Sequence, residues 1–171
     1  VCEELIKQGQ ALAQFHPQSV NTVRIVTYRD KSGLAHTMWC FLRMGGGGST
    51  TDNMSGGGIS AKIDFDTGVI CDCGRDYLGN RHICHPDTGV QLVGFRMPDW
   101  DGLKALVQEL ANVLPGMRLV GWDLAYTDDG WVFVEGNAQP QCVAPQLTAY
   151  NGMLHVYEEM DALFEAEAEH E

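Results

Sequence analysis

The sequence lacks the features that would place the protein in a membrane or on nucleic acid. No apolar run approaches the roughly 20 residues that cross a bilayer, and no signal peptide is recognisable. Basic residues are scarce: 11 lysines and arginines stand against 23 aspartates and glutamates, for a formal net charge of −12. They form no basic stripe, so we expect no nucleic-acid partner. A local site for phosphates and divalent cations remains compatible with this charge.

No Gly-Lys-Ser or Gly-Lys-Thr step of a Walker phosphate loop occurs, although the chain contains 20 glycines. Several of these glycines fall in the segment 45–58, which reads GGGGSTTDNMSGGG. This composition is typical of a flexible linker. However, a strand-like pattern follows at once at 59–64, and a glycine-rich loop beside strands can bring backbone N–H groups close to an anion. Both interpretations stay open from the residues alone.

Six cysteines are present, most of them in apolar or strand-like runs, which favours a reduced, cytoplasmic protein. One group raises an alternative, a zinc-stabilised structural domain. Its candidate ligands are Cys71, Cys73, His82, Cys84 and His85. The single residue between Cys71 and Cys73 is shorter than the usual spacing of paired zinc ligands, so a plain strand and loop is the favoured interpretation.

Hydrophobic periodicity predicts an α+β fold, with a mainly antiparallel sheet and helices packed on one face. Helices are predicted at 8–15, 100–114 and 154–166, and strands at 22–28, 35–44, 59–64, 69–73 and in a hairpin over 120–137. The segment 74–89 is predicted as a long polar loop and 138–149 as irregular. We expect one domain over 1–171, with an acidic tail at 167–171.

The hairpin carries the first candidate site. Its turn is Asp128-Asp129-Gly130; Asp123 lies on the first strand, and Glu135 and Asn137 lie on the second. Side chains two apart on a strand share a face, so three oxygen-bearing groups would converge if Asp123 pairs opposite them. Such groups suit Mg²⁺. The alternative is a solvated hairpin with polar residues on its open face.

Five ordered blocks of sequence extend this hypothesis over nearly the whole chain. They are residues 3–6 (EELI), 16–24 (HPQSVNTVR), 52–57 (DNMSGG), 120–123 (VGWD) and 135–137 (EGN). In this order they resemble the C-terminal half of an ATP-grasp domain, closest to the sugar-transfer-associated ATP-grasp group.

The resemblance implies roles for individual residues. Glu3 and Glu4 would lie on a hinge strand beside the adenine and ribose of ATP. Arg24 would contact the transferring phosphoryl group. Related D-alanine–D-alanine ligases carry an arginine two residues before the metal aspartate; here that position is Gly121, so Arg24 or Arg43 would supply the charge.

The other implied roles concern the glycine-rich loop and the metal. The loop beside the γ-phosphate or acyl phosphate would be formed by Asn53, Ser55, Gly56 and Gly57. The residues that would hold Mg²⁺ are Asp123, Glu135 and Asn137.

The resemblance implies an ATP- and Mg²⁺-dependent carboxylate–amine ligase that forms a C–N bond through an acyl phosphate. Its substrates would be ATP, a carboxylate and an amine, either small molecules or sugar-linked, and its setting cell-surface sugar or polysaccharide modification. The chain begins at the hinge strand, so we expect the upstream half of the ATP-grasp domain to be absent and the fragment alone to be inactive. The alternative is a truncated binding module without catalysis.

Overall fold

The computed structural model describes residues 5–149 and 152–168, in which eight strands form one sheet. The strands are β1 Thr22–Arg29, β2 Ala35–Met44, β3 Ile59–Asp64, β4 Val69–Ile70, β5 Gly74–Asp76, β6 Arg81–His82, β7 Leu119–Thr127 and β8 Gly130–Asn137. The helices are α1 Gln10–Ala13, α2 Trp100–Val113, α3 Val143–Ala149 and α4 Leu154–Ala168.

The strand order is β6-β5-β3-β2-β1-β7-β8, and the short β4 pairs with β3 outside this path. Every neighbouring pair is antiparallel. The central strands β1, β2 and β7 are rich in β-branched and aromatic residues, which pack well on a pleated surface. The predicted α+β fold with an antiparallel sheet is therefore confirmed.

The main core lies on one face of this sheet. Ile25, Leu42 and Leu124 point to this face from the three central strands and are fully buried. Helix α2 covers them with an apolar stripe of Leu103 and Val107, as its helical periodicity predicts.

A second, smaller cluster lies on the opposite face. Val26, Trp39 and Phe41 alternate with the main-core residues along β1 and β2, and the segment containing α3 and α4 packs against them through Ala144 and Tyr157. The helices therefore cover both faces of the sheet, rather than one as predicted. The reason is that β1 and β2 are apolar on both faces and need cover on each.

The shortest elements differ from the sequence prediction. The strand predicted at 69–73 ends at Ile70, and the predicted loop 74–89 contains the hairpin β5–β6. Strands of two or three residues are too short to show a periodic pattern. The segment predicted as irregular ends in α3, where Pro145 is tolerated because it lies in the first helical turn.

The C-terminal helix α4 continues to Ala168, so the rest of the predicted acidic tail lies outside the described residues. Within the described ranges, no helix has the length and apolar character needed to cross a membrane.

Candidate functional site

Arg24 and Asp123 are the centre of a polar cluster on the face of the sheet that carries the smaller apolar cluster. They are direct cross-strand partners between β1 and β7. Arg24 Nε donates to Asp123 Oδ1 at 2.5 Å, and Arg24 Nη2 donates to Oδ2. Asp123 is only 2 % exposed, so this two-pronged pair is largely shielded from water. Arg24 is the third residue of β1, as the strand predicted at 22–28 implies.

Arg43 links this pair to the glycine-rich loop. Its Nη1 donates to Asp123 Oδ2 at 2.6 Å, and its Nη2 donates to Asp52 Oδ1 at 2.9 Å and to Asn53 Oδ1 at 2.8 Å. Two guanidinium groups thus converge on one carboxylate, and the second also holds the loop. Both arginines named in the sequence prediction are present at the site.

Asp52 is a site residue to which the sequence reasoning gave no role. It is a buried residue of the glycine-rich loop, and Thr22 Oγ1, at the start of β1, donates to its Oδ2. Burial raises the pKa of Asp52 above its ordinary value, and the Arg43 charge and the Thr22 hydrogen bond oppose that rise. The sequence did contain one signal for it: Asp52 directly precedes Asn53 in one of the five blocks that resemble ATP-grasp.

The three predicted metal ligands lie together next to Arg24. Asp123 pairs directly with Glu135 across β7 and β8. Glu135 Oε1 lies 3.7 Å from Arg24 Nη2 and accepts a hydrogen bond of 3.2 Å from Asn137 Nδ2. These contacts place Asp123, Glu135 and Asn137 along one face of the hairpin.

A β-bulge makes this arrangement possible. Asp123 pairs with Glu135, whereas the next residue, Leu124, pairs with Phe133, so β8 carries one extra residue at Val134. Without a bulge, Phe133 and Glu135 would share a face, because they are two residues apart. With it, Phe133 packs edge-to-face on Trp122 of the main core, and Glu135 faces the polar cluster.

The glycine-rich loop 45–58 is held by contacts from outside it. Gly45 N donates to Asn21 Oδ1 at 3.1 Å, and Gly47 N donates to Asp87 Oδ2 at 2.7 Å. The buried His16 and His85 lie 2.8 Å, through Nε2, from the carbonyl oxygens of Ser49 and Gly45 respectively. These contacts favour an ordered loop over a flexible linker.

The end of this loop faces Arg24 and Arg43, here called the arginine pair. Asn53 and Ser55 line a pocket together with Arg24 and Arg43. Residues Met54–Gly56 form a single turn of 3₁₀ helix, which ends at Gly57 with φ of +95°. A left-handed conformation of this kind favours glycine.

Two sequence predictions receive no support from these contacts. Glu3 and Glu4 lie outside the described residues. The proposed zinc ligands have other partners: Cys73 Sγ accepts from Arg81 Nε at 3.2 Å, and His82 pairs with Asp76 at 3.1 Å. Within 5–149 and 152–168, no three His, Cys, Asp or Glu residues are placed to hold a metal ion.

The positively charged side chains of the site lie in two adjacent rows that cross the sheet. Cross-strand pairing places ten side chains on one face, in adjacent rows. One row is Glu135, Asp123, Arg24, Phe41 and Lys62, and the other is Thr22, Arg43, Ser60, Arg75 and Arg81. Five of the 11 basic residues of an acidic chain therefore lie on one face of the sheet.

A family model described as sugar-transfer associated ATP-grasp matches residues 1–162 of the 171. The chain belongs to the sugar-transfer-associated ATP-grasp family. The predicted resemblance is thereby confirmed over almost the full length. Searches of curated proteins and of solved structures give no match.

Membership of this ATP-grasp family indicates an ATP-dependent enzyme of the ligase type, and ATP-grasp enzymes generally use ATP with Mg²⁺. The donor set fits a hard cation, because two carboxylates and an amide supply only oxygen ligands. In the described structure, the positive charge at Asp123 comes from Arg24 and Arg43.

Proposed function

We propose that the chain forms the phosphoryl-transfer face of an ATP- and Mg²⁺-dependent carboxylate–amine ligase, a cytoplasmic enzyme that modifies cell-surface sugars or polysaccharides. The observation that carries this proposal is the convergence of Arg24 and Arg43 on Asp123, beside Glu135 and Asn137. Phosphoryl transfer requires positively charged groups that neutralise the phosphate oxygens and carboxylates that hold a metal ion, and both kinds of group are present here.

In the proposed reaction, a carboxylate oxygen of the acid attacks the γ-phosphorus of ATP, and ADP leaves. An amine then attacks the acyl carbon, which forms the C–N bond and releases phosphate. The planar forks of Arg24 and Arg43 would bind phosphoryl oxygens and orient them. Neither step requires a nucleophilic side chain from the protein.

The remaining site residues would complete this arrangement. Asp123, Glu135 and Asn137 would hold Mg²⁺, which supplies charge neutralisation at the phosphates when bound. Asn53, Ser55, Gly56 and Gly57 would form the loop beside the phosphoryl group. Glu3 and Glu4 would border the adenine and ribose.

Acyl-phosphate trapping tests the chemistry. The chain together with the upstream ATP-grasp half that the resemblance implies is incubated with ATP, Mg²⁺, small and sugar-linked acids, and hydroxylamine, which converts an acyl phosphate into a hydroxamate. We expect ADP and hydroxamate to appear together only when acid is present, and to be lost in Asp123→Asn. ADP formation that does not depend on acid would contradict the ligase reaction.

Nucleotide binding tests the site without turnover. We expect the 171-residue chain alone to turn over slowly, because the described residues offer phosphate-binding groups from a single sheet face, which leaves a nucleotide open to water. Addition of the chain to Mg·ATP should nevertheless broaden the ³¹P NMR signal of the γ-phosphate. Arg24→Ala should remove the broadening, and Lys104→Met, a distant charge change, should not. Binding without acid-dependent ADP formation in any form of the protein would instead favour a non-catalytic binding module.

A further inference from the structure

A pocket beside the arginine pair extends away from the proposed metal ligands, between the sheet, the glycine-rich loop and the start of α3. Its walls combine two kinds of side chain. The apolar contribution comes from Phe41, Met54, Val143 and Ala144, and the polar contribution includes Ser55 and Ser60. Such a mixture suits the carbon body of a small polar ligand whose charged end meets the arginines.

Ser60 has an unsatisfied hydroxyl group in this pocket. It lies in β3 directly opposite Arg43 of β2, so its side chain leaves the sheet on the same face as the arginine pair. The residue is fully buried, and its Oγ makes no hydrogen bond within the described part of the chain. Buried polar groups normally have a partner, because the loss of water is otherwise uncompensated. A ligand in the pocket would provide that partner.

The surrounding charge indicates what the partner is. Ser60 stands in its row between Arg43 and Arg75, which is its cross-strand neighbour on β5. The field of two guanidinium groups favours a ligand atom that carries partial negative charge. The Ser60 O–H would therefore donate to an oxygen of the ligand.

Building on the proposed function, we propose that this pocket binds the acid substrate and that Ser60 determines which acid is accepted. The carboxylate of the acid lies toward Arg24 and Arg43, and its carbon body lies against Phe41 and Met54. Ser60 donates a hydrogen bond to an oxygen on that body. The substrate class is a short carboxylic acid that carries a hydroxyl or carbonyl oxygen beyond its carboxylate.

Two four-carbon acids of equal charge, butyrate and 3-hydroxybutyrate, test this proposal on the 171-residue chain without nucleotide. Binding is followed by NMR of the ¹³C-labelled Met54 methyl group, assigned with Met54→Leu. We expect 3-hydroxybutyrate to bind about fivefold to tenfold more tightly than butyrate, the scale of one net hydrogen bond. In Ser60→Ala the two acids should bind equally, with the affinity for butyrate unchanged.

Ser32→Ala, which changes an exposed serine that contacts Asp30, is the matched control and should retain the preference. Ser60→Ala removes a hydroxyl that has no partner among the residues that the structure describes, so a thermal melt should show that it folds at least as stably as the wild type. An equal preference in wild type and Ser60→Ala, or no Met54 shift with either acid, would overturn the proposal. Because the assay contains no ATP, it tests acid binding independently of acid-dependent ADP formation. The pocket proposal can therefore fail while the proposed ligase reaction stands, and the reverse.

Discussion

Arg43 Nη1 lies 2.6 Å from Asp123 Oδ2, an oxygen that Arg24 also contacts. Asp123 is at the same time the carboxylate proposed to hold Mg²⁺. Its Oδ2 accepts hydrogen bonds from both arginines and its Oδ1 accepts one from Arg24, so we expect the two guanidinium groups to compete with a cation for this carboxylate. Phosphate oxygens are strong acceptors for guanidinium groups and would draw the arginines off.

The first prediction is that metal and phosphate binding are coupled. Mn²⁺, used as a probe for Mg²⁺, should bind the chain weakly alone and roughly tenfold more tightly with pyrophosphate, within the usual range of coupling between sites. Arg43→Met should raise the affinity for Mn²⁺ alone, because one competing cation is removed. Electron paramagnetic resonance titration of free Mn²⁺ measures both effects.

The control for this coupling is Lys104→Met, which removes a positive charge on α2 that contacts Asp101. It should leave the affinity for Mn²⁺ unchanged. If Arg43→Met also leaves it unchanged, Arg43 does not compete with the metal at Asp123.

The second prediction concerns Arg24 in acid-dependent ADP formation by the full-length enzyme. Arg24→Ala should lower kcat by roughly 10²-fold or more, the scale for loss of one transition-state donor. Arg24→Lys should recover only part, because it keeps the charge but loses the planar fork. Steady-state kinetics with a parallel thermal melt provide the measurement.

The melt matters because Arg24 is partly buried and pairs with the buried Asp123. Some loss of stability is expected in Arg24→Ala, although Arg43 still pairs with Asp123. If kcat stays at the wild-type value in folded protein, Arg24 is a structural residue.

The third prediction is a pH-dependent stability effect of Asp52. Its pKa in the folded state is raised above the ordinary 3.8, mainly by burial. In the interval between these two pKa values, the folded state holds more protons than the unfolded state, so this residue lowers the free energy of unfolding as pH rises. Asp52→Asn lacks the ionisation. Its Tm relative to the wild type should therefore increase as pH is raised from 3.8 through this interval, and a constant or decreasing difference would contradict the raised pKa.

The fourth prediction tests how the glycine-rich loop is held. A Cβ added at Gly45 would lie 2.5 Å from His16 Cδ2 and would also meet Ser19 Oγ. Gly45→Ala should therefore cost about 1–3 kcal/mol of stability, as overpacking of a buried site does. Gly116→Ala is the matched control, because a Cβ there meets nothing within 4 Å. Denaturant unfolding of both variants gives the comparison, and equal stabilities would show that the loop yields at little cost.

The long elements were predictable because their side-chain pattern repeats. Strands β1, β2 and β3, the final hairpin and α2 each have enough residues for the period of the apolar positions to identify them. The hairpin pattern itself indicated Asp123, Glu135 and Asn137 as candidate ligands. Arg24 and Arg43 were indicated only by the ordered resemblance, since each alone is an ordinary polar side chain in a strand.

Other parts of the site depend on contacts between distant segments and have no local pattern. Asp52 meets Thr22 across 30 positions of sequence, and His85 meets Gly45 across 40. Ser60 is unusual because its buried hydroxyl has no hydrogen-bond partner among the described residues after folding. Such properties arise from tertiary burial, which hydrophobic periodicity does not report.

Val134, the extra residue of the bulge, has a consequence for changes in chain length. If Val134 were deleted, the pair of Leu124 with Phe133 would follow directly on the pair of Asp123 with Glu135, without a bulge. Every remaining side chain of β8 would keep its face. Deletion of Phe133 instead would put Val134 in its place against Trp122 and remove the aromatic contact. We therefore expect β8 to tolerate the deletion of one residue only at Val134. A length change elsewhere in β8 would alter either the core or the polar cluster.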